Sequence, residues 1–321
     1  MKLRNDRSVA VVLPSPIGDS LIGLVLVNNL ILNGYRPVVF GWVAEQLADW
    51  FPHVTVGRPG DWQHAFDTVL ELRPTDYARN LSRTGETLCL STLSAYGGHK
   101  HMVDRVVEIA TNVLGLRDVT RSNGLVVPAD IGCGRFADRV VIHPTGSHPE
   151  KMWGREKFLA LARVLTRRQL QPSFLVAPTE LGAWGDIGED GHEVNALVRL
   201  DEVAKWIAES AWFIGNDSGL GHLASCIGVP TLTLFMRQGL ARSWRPDWGP
   251  GAIVLPPSLL PFGGLRERLW QRLLTVRRVT TAFETLRGKH ARVIRQHAAA
   301  DFGDANATRM GMLPGAQSRR M

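Results

Sequence analysis

The chain has 321 residues, 45% of them apolar and 21% charged, which is enough to bury one large core or two of ordinary size. Its three cysteines, Cys89, Cys133 and Cys226, are odd in number, dispersed and free of CxxC or Cys/His spacing, which excludes a disulfide framework and a zinc site. A net charge of +7 and a pI near 9.8 favour anionic partners: nucleotide phosphates, an acidic lipid surface or nucleic acid.

Met1 to Arg7 is basic, but the apolar run after it is too short before Pro14 for a signal peptide, so a cytoplasmic protein is expected. A strand is predicted over Val9–Leu13 and a helix over Ser20–Leu32, the latter interrupted by Asn28 and Asn29 and too short to cross a bilayer. A strand over Pro37–Phe40, a helix over Ala44–Phe51 and a strand over Thr68–Leu72 follow, the last ending at Arg73-Pro74. Wholly apolar strands separated by helices read as parallel strands of an α/β sheet. Leu125 to Arg139, with Pro128, Gly132 and Gly134, reads as a linker.

The pattern then restarts: strands over Val140–His143, Ser173–Val176, Trp212–Gly215 and Thr231–Phe235 alternate with helices over Arg155–Arg167, Val203–Ser210 and Leu220–Ile227. Two such series predict two doubly wound domains facing across a cleft, with ligands at the carboxyl ends of the strands. From Arg266 to Arg295 nine Lys/Arg outnumber two acids on helical apolar spacing, which fits either a solvated face or a face near anionic lipid. Residues 296–321 lack periodicity and read as a mobile tail.

Three stretches carry chemistry. Gly18-Asp19 follows the first strand, where Asp19 is either a helix N-cap or a general base projecting into the cleft beside a glycine that admits substrate. In "VVIHPTGSHPEKMWGREKF" a strand ends at His143-Pro144, and Lys151 and Trp153 arrive just before a helix. Lys151 there suits a phosphate, or is a surface lysine beside an anchoring tryptophan. In "FIGNDSGLGHLASCIGVPTLTLF" a strand stops at Gly215 and a small-residue helix follows Asn216-Asp217-Ser218-Gly219, so the N–H groups of Ser218, Gly219 and Leu220 either form an anion site by geometry or belong to a turn that serves packing alone. There is no GxGxxG after the first strand and no GxxxxGK[ST], GxSxG or HExxH, which excludes a dinucleotide fingerprint, a P-loop, a hydrolase elbow and a zinc protease.

In this order the stretches resemble the ADP-heptose:lipopolysaccharide heptosyltransferases of glycosyltransferase family nine. Ser15-Pro16-Ile17-Gly18-Asp19, "FDTVLELRP", "HKHMVDRVVEIATNVLGL", His143-Pro144, Lys151-Met152-Trp153 and the "NDSGLGH" loop at Asn216–His222 carry the resemblance. It implies a GT-B fold: two Rossmann-like domains, an acceptor-side domain over 1–136 and a nucleotide-sugar domain over 137–262, with helices of about 263–295 packing back on the first. It implies an inverting, metal-independent transferase without a cofactor, which moves heptose from ADP-heptose to a lipid-linked saccharide of lipopolysaccharide core type.

On this resemblance Asp19 is the catalytic base and Lys151 the second catalytic residue. The donor contacts fall on Gly18, Thr145, Lys151, Trp153, Glu193, Asp217, Ser218, Gly219 and His222. The implied partners are a nucleotide-sugar, an anionic lipid-linked saccharide and the inner face of the cytoplasmic membrane, with no nucleic acid. Another nucleotide-sugar, a GT-B-like epimerase or a silent sugar-nucleotide-binding homologue stand as alternatives.

Overall fold

A strand with no polar residue can persist only between two packed layers, and β1 (Val9–Val12) is buried at every position. The computed structural model describes residues 3, 8–188, 191–257 and 263–292. After β1 come α1 (Ile17–Leu32), β2 (Val38–Phe40), α2 (Trp42–Gln46), β3 (Thr55–Val56), β4 (Thr68–Glu71), α3 (Ala78–Leu81), β5 (Leu88–Cys89) and α4 (Met102–Asn112). The chain then enters β6 (Phe136–His143), α5 (Arg155–Thr166), β7 (Gln171–Leu175), α6 (Leu181–Trp184), β8 (Glu193–Asn195), α7 (Leu200–Ala208) and β9 (Ser210–Asn216). It continues through α8 (Gly219–Ile227), β10 (Thr231–Leu234), α9 (Gln238–Trp244), β11 (Gly251–Val254), α10 (Gly263–Leu273) and a last helix over 276–292.

The strands make two parallel sheets, β3-β2-β1-β4-β5 and β11-β10-β9-β6-β7-β8. In each, the chain winds outward to one side of its first strand and then crosses to the other. The first order reverses between β1 and β4, the second between β6 and β9, and in such sheets ligands bind outside the strand ends at that reversal. The architecture is the expected pair of doubly wound α/β domains. The short strands β3, β5 and β8 carry too few residues to show a pattern in the sequence.

α1 is buried on nearly every side, because it lies against its own sheet and also packs on α8 of the second domain and on α4. Asn28 and Asn29, which interrupt its apolar run, and its C-cap Asn33 strap the crossing segment to it. The Asn29 amide donates to Thr120 O (2.9 Å) and accepts from Thr120 N (2.7 Å), while Asn33 and Asn28 donate to Asp118 O and Ser122 O. β6 begins at Phe136, so the end of the expected linker is strand.

Two expectations change. α1 starts at Ile17, because Pro16 already has the extended geometry of an N-cap, and Asp19 is therefore the third helical residue rather than the cap. The last helices pack on the second domain, not the first. Trp270, Leu274, Val279, Phe283 and Leu286 join the core formed by Trp153, Phe158 and Trp212, which buries their apolar side chains. The Trp270 indole donates to Glu150 O and the Trp153 indole to Leu274 O, each at 2.7 Å. Arg268, Arg272, Arg277, Arg278 and Lys289 on these helices face solvent. The expected tail at 296–321 lies outside the described residues. Among the described residues no helix is long and apolar enough to cross a membrane.

Candidate active site

Both reversal points open into one cleft of about 840 Å³ between the domains. On the first-domain side, Asp19 follows β1 and Arg73 follows β4. Asp19 is only 8% exposed, and the Arg73 Nη2 lies 3.2 Å from its Oδ2. Burial raises the Asp19 pKa, while Arg73 and then Lys151 pull it back. Two residues before Arg73, the buried carboxylate of Glu71 accepts from Thr75 N (2.8 Å), Thr75 Oγ1 (3.0 Å) and Thr87 Oγ1 (2.9 Å), which fixes the loop that carries Arg73. Trp244 of α9 faces the guanidinium from the second domain, 6.0 Å from Cζ to ring centre.

On the second-domain side, the loop after β6 brings His143, Gly146 to His148 and Lys151 to the cleft, and the loop after β9 brings Asp217, Ser218, Gly219 and Leu220. Asn216 joins the loops. Its amide donates to Pro144 O (2.7 Å), and its Oδ1 accepts from Trp153 N (3.1 Å). Burial lifts the Asp217 pKa to about 6, against the pull of Lys151. Ser218 has the extended geometry of an N-cap for α8, but its Oγ is buried without a partner among the described residues, so its side chain does not cap that helix end.

His143 is buried and neutral, its pKa lowered by desolvation, with Nδ1 2.8 Å from Leu175 O. His222 is buried too, its pKa pushed down to about 4, and its Nδ1 lacks a partner. The two domains touch here through glycine. A Cβ on Gly219 would lie 2.7 Å from Ile17 Cβ and 3.0 Å from Gly18 N, and one on Gly18 would lie 3.0 Å from the His222 ring. No other residue allows the helix ends to approach so closely.

Of the residues singled out in the sequence, Gly18, Asp19, Lys151, Asp217, Ser218, Gly219 and His222 meet at this cleft. Three do not. Trp153 is a core residue, 1% exposed, whose contribution to the site is its backbone N–H on Asn216. Thr145 is buried and does not line the cleft; its carbonyl accepts from the Asn216 amide. Glu193 opens β8 opposite Ser173, at the entry end of the sheet. There it is close enough to Arg139 to oppose the burial that lowers that guanidinium's pKa, and it does not line the cleft.

Arg73, Asn216 and Trp42 are site residues the motifs did not single out. A charged residue directly after a buried strand was the available signal for Arg73, and the asparagine opening the NDSG turn was the signal for Asn216. The geometry can hold an anion at Lys151 and the α8 amino end while a carboxylate faces it from the other domain.

The family model described as glycosyltransferase family 9 (heptosyltransferase) matches residues 82–243, just over half of the chain. Asp19 and Arg73 precede the matched segment. Lipopolysaccharide heptosyltransferase 3 of Escherichia coli (strain K12) is 30% identical over 114 residues, a stretch that spans 33% of this chain and 33% of that protein. Among solved structures, E. coli heptosyltransferase WaaC with ADP superposes with a TM-score of 0.67 at 16% identity, covering 87% of this chain and 99% of that one. E. coli ADP-heptose LPS heptosyltransferase II gives the same score and identity over 88% and 99%. These likenesses extend over both domains, so the fold is GT-B, and the chain belongs to glycosyltransferase family 9.

Proposed function

We propose that the protein is an inverting glycosyltransferase that moves heptose from ADP-heptose to a lipopolysaccharide-core or other lipid-linked saccharide, with Asp19 as general base. The observation that carries this reading is the opposition across one cleft of a buried carboxylate on the first domain and an open cationic helix end on the second. The acceptor hydroxyl attacks the anomeric carbon from the side away from the diphosphate, and Asp19 takes its proton as the new C–O bond forms. The bond to the diphosphate breaks with its electron pair, and ADP leaves carrying the charge. Lys151 and the N–H groups of Ser218, Gly219 and Leu220 at the start of α8 face that charge as it develops.

The relative described as a lipopolysaccharide heptosyltransferase and the ADP-bound neighbour support the heptose and adenine assignments. A cytoplasmic location with peripheral contact at the membrane's inner face suits a lipid-linked acceptor, and the outward arginines of the last helices suit an anionic surface.

A thermal-shift panel of ADP, UDP, GDP and CMP tests the donor. Saturation at a hundred times the dissociation constant stabilises by about 2.7 kcal/mol, so ADP should raise the melting temperature by several degrees and the others by little. A shift with UDP or GDP and none with ADP would replace ADP-heptose by another nucleotide-sugar.

A further inference from the structure

The cleft has a second end, away from the anion site. The carboxyl ends of β9 and β6 carry the anion-binding groups, and β7 and β8 come next in the sheet. Neighbouring strands are about 4.8 Å apart, so the loop after β8 lies about 14 Å from the loop after β9. That is the reach from a diphosphate to the far edge of its nucleobase.

The wall at this end carries an apolar patch, Val176, Pro178, Leu197 and Val198, with the charged side chains of Glu180 and Arg199 beside it. Val198 is 81% exposed, an unusual state for valine on the wall of a cleft. Opposite stands Trp42, 42% exposed, which belongs to the first domain and opens α2. Two contacts fix where it stands. Its indole N–H donates to Ser15 O (2.7 Å), on the loop that leads to Asp19, and Gln46 of the same helix accepts from Leu200 N (2.9 Å) of the second domain. The helix that Trp42 opens is thus tied to both domains, and Trp42 itself lines the cleft.

We propose that Trp42 is the stacking platform for the donor's nucleobase, pressed from the first domain against Val176, Leu197 and Val198 of the second. This rests on the nucleotide-sugar reading above. Its consequence is that donor binding draws on both domains, so that the base is gripped only when Asp19 already faces the diphosphate. An aromatic face suits a purine because stacking needs only a π-surface, and removing such a face costs about 5- to 150-fold in affinity.

Calorimetric titrations with ADP and, separately, inorganic pyrophosphate on the wild type, Trp42→Ala and Trp42→Phe test it. Trp42→Ala should bind ADP about 5- to 150-fold more weakly, Trp42→Phe nearly as well as the wild type, and all three should bind pyrophosphate alike. Retained pyrophosphate binding also reports that the variants are folded. Equal ADP affinity in the wild type and Trp42→Ala would overturn the platform, as would equal losses for ADP and pyrophosphate. A raised Michaelis constant for the acceptor at unchanged ADP affinity would also overturn it, by giving Trp42 to the acceptor saccharide. A wild type that bound neither probe would remove the nucleotide-sugar reading itself, and the platform with it.

Discussion

α1 and α8 both start at the reversal point of their sheet and meet end to end at Gly18 and Gly219. Their amino ends are nevertheless in opposite electrostatic states. α1 carries Asp19 in its first turn, and the carboxylate answers both the helix dipole and Arg73. α8 has no acid in its first turn, and the hydroxyl of its N-cap Ser218 has no partner. One end is neutralised from within the chain, and the other is left for an anion from outside. On the proposed function the two helix ends divide the work of a transfer: one would hold the charge that takes a proton, and the other would receive the charge that leaves.

The largest effect should come from emptying the self-satisfied end. Asp19→Ala is expected to lower turnover by about 10² to 10⁴, the usual contribution of a positioned base, with ADP affinity kept. Near-normal turnover in the folded variant would leave Asp19 a purely structural partner of Arg73 and erase the contrast between the helices.

Lys151→Ala tests the open end. A charge-assisted hydrogen bond contributes about 1.5 to 3 kcal/mol, so ADP binding should weaken by roughly 10- to 150-fold, and turnover should fall as well because the leaving charge grows in the transition state. Unchanged ADP affinity by calorimetry would move the anion site away from Lys151.

A smaller effect should come from Arg73. A general base works only when ionised; burial raises the Asp19 pKa and Arg73 opposes that rise. Removing the guanidinium lets burial act unopposed, so Arg73→Gln should shift the acidic limb of the kcat/KM profile to higher pH and lose activity first at low pH. An unmoved limb in a variant with normal ADP binding would show that Arg73 does not tune Asp19.

How much of this was legible before the fold follows from what sets each contact. The two βαβ series, and Asp19, Lys151 and Asp217-Ser218-Gly219 after their strands, could be read because strand and turn chemistry is local. Gly18 and Gly219 could be noticed, but the need for them appears only when Ile17 and Gly219 touch, some two hundred positions apart. Trp153 and Thr145 sat in the right loop and still missed the cleft, since sequence position does not give side-chain direction: the Trp153 indole is drawn inward by Leu274 O. Glu193 was placed by resemblance alone, and it lies off the cleft because it opens the short strand β8, which carries no pattern in the sequence. Arg73 was read only as the end of a strand, because its partners Asp19 and Trp244 lie on other elements.

The smallest expected effect concerns metal. A divalent ion that neutralised the departing diphosphate would do the work assigned here to Lys151 and the open end of α8, so the two accounts compete for one task. Asp217 stands beside that end as a single carboxylate, its pKa lifted to about 6 by burial. Mg²⁺ usually takes one or two carboxylates together with substrate phosphates in an octahedral shell, and among the described residues no cluster of three His, Cys, Asp or Glu side chains is arranged to hold a metal ion. Transfer should therefore continue in excess EDTA, and added Mg²⁺ or Mn²⁺ should change the rate only modestly. Activity abolished by EDTA and restored by a stoichiometric divalent ion would reverse the comparison. The open helix end would then be a metal–diphosphate site with Asp217 as its ligand, and the losses in Lys151→Ala would have to be explained through that ion.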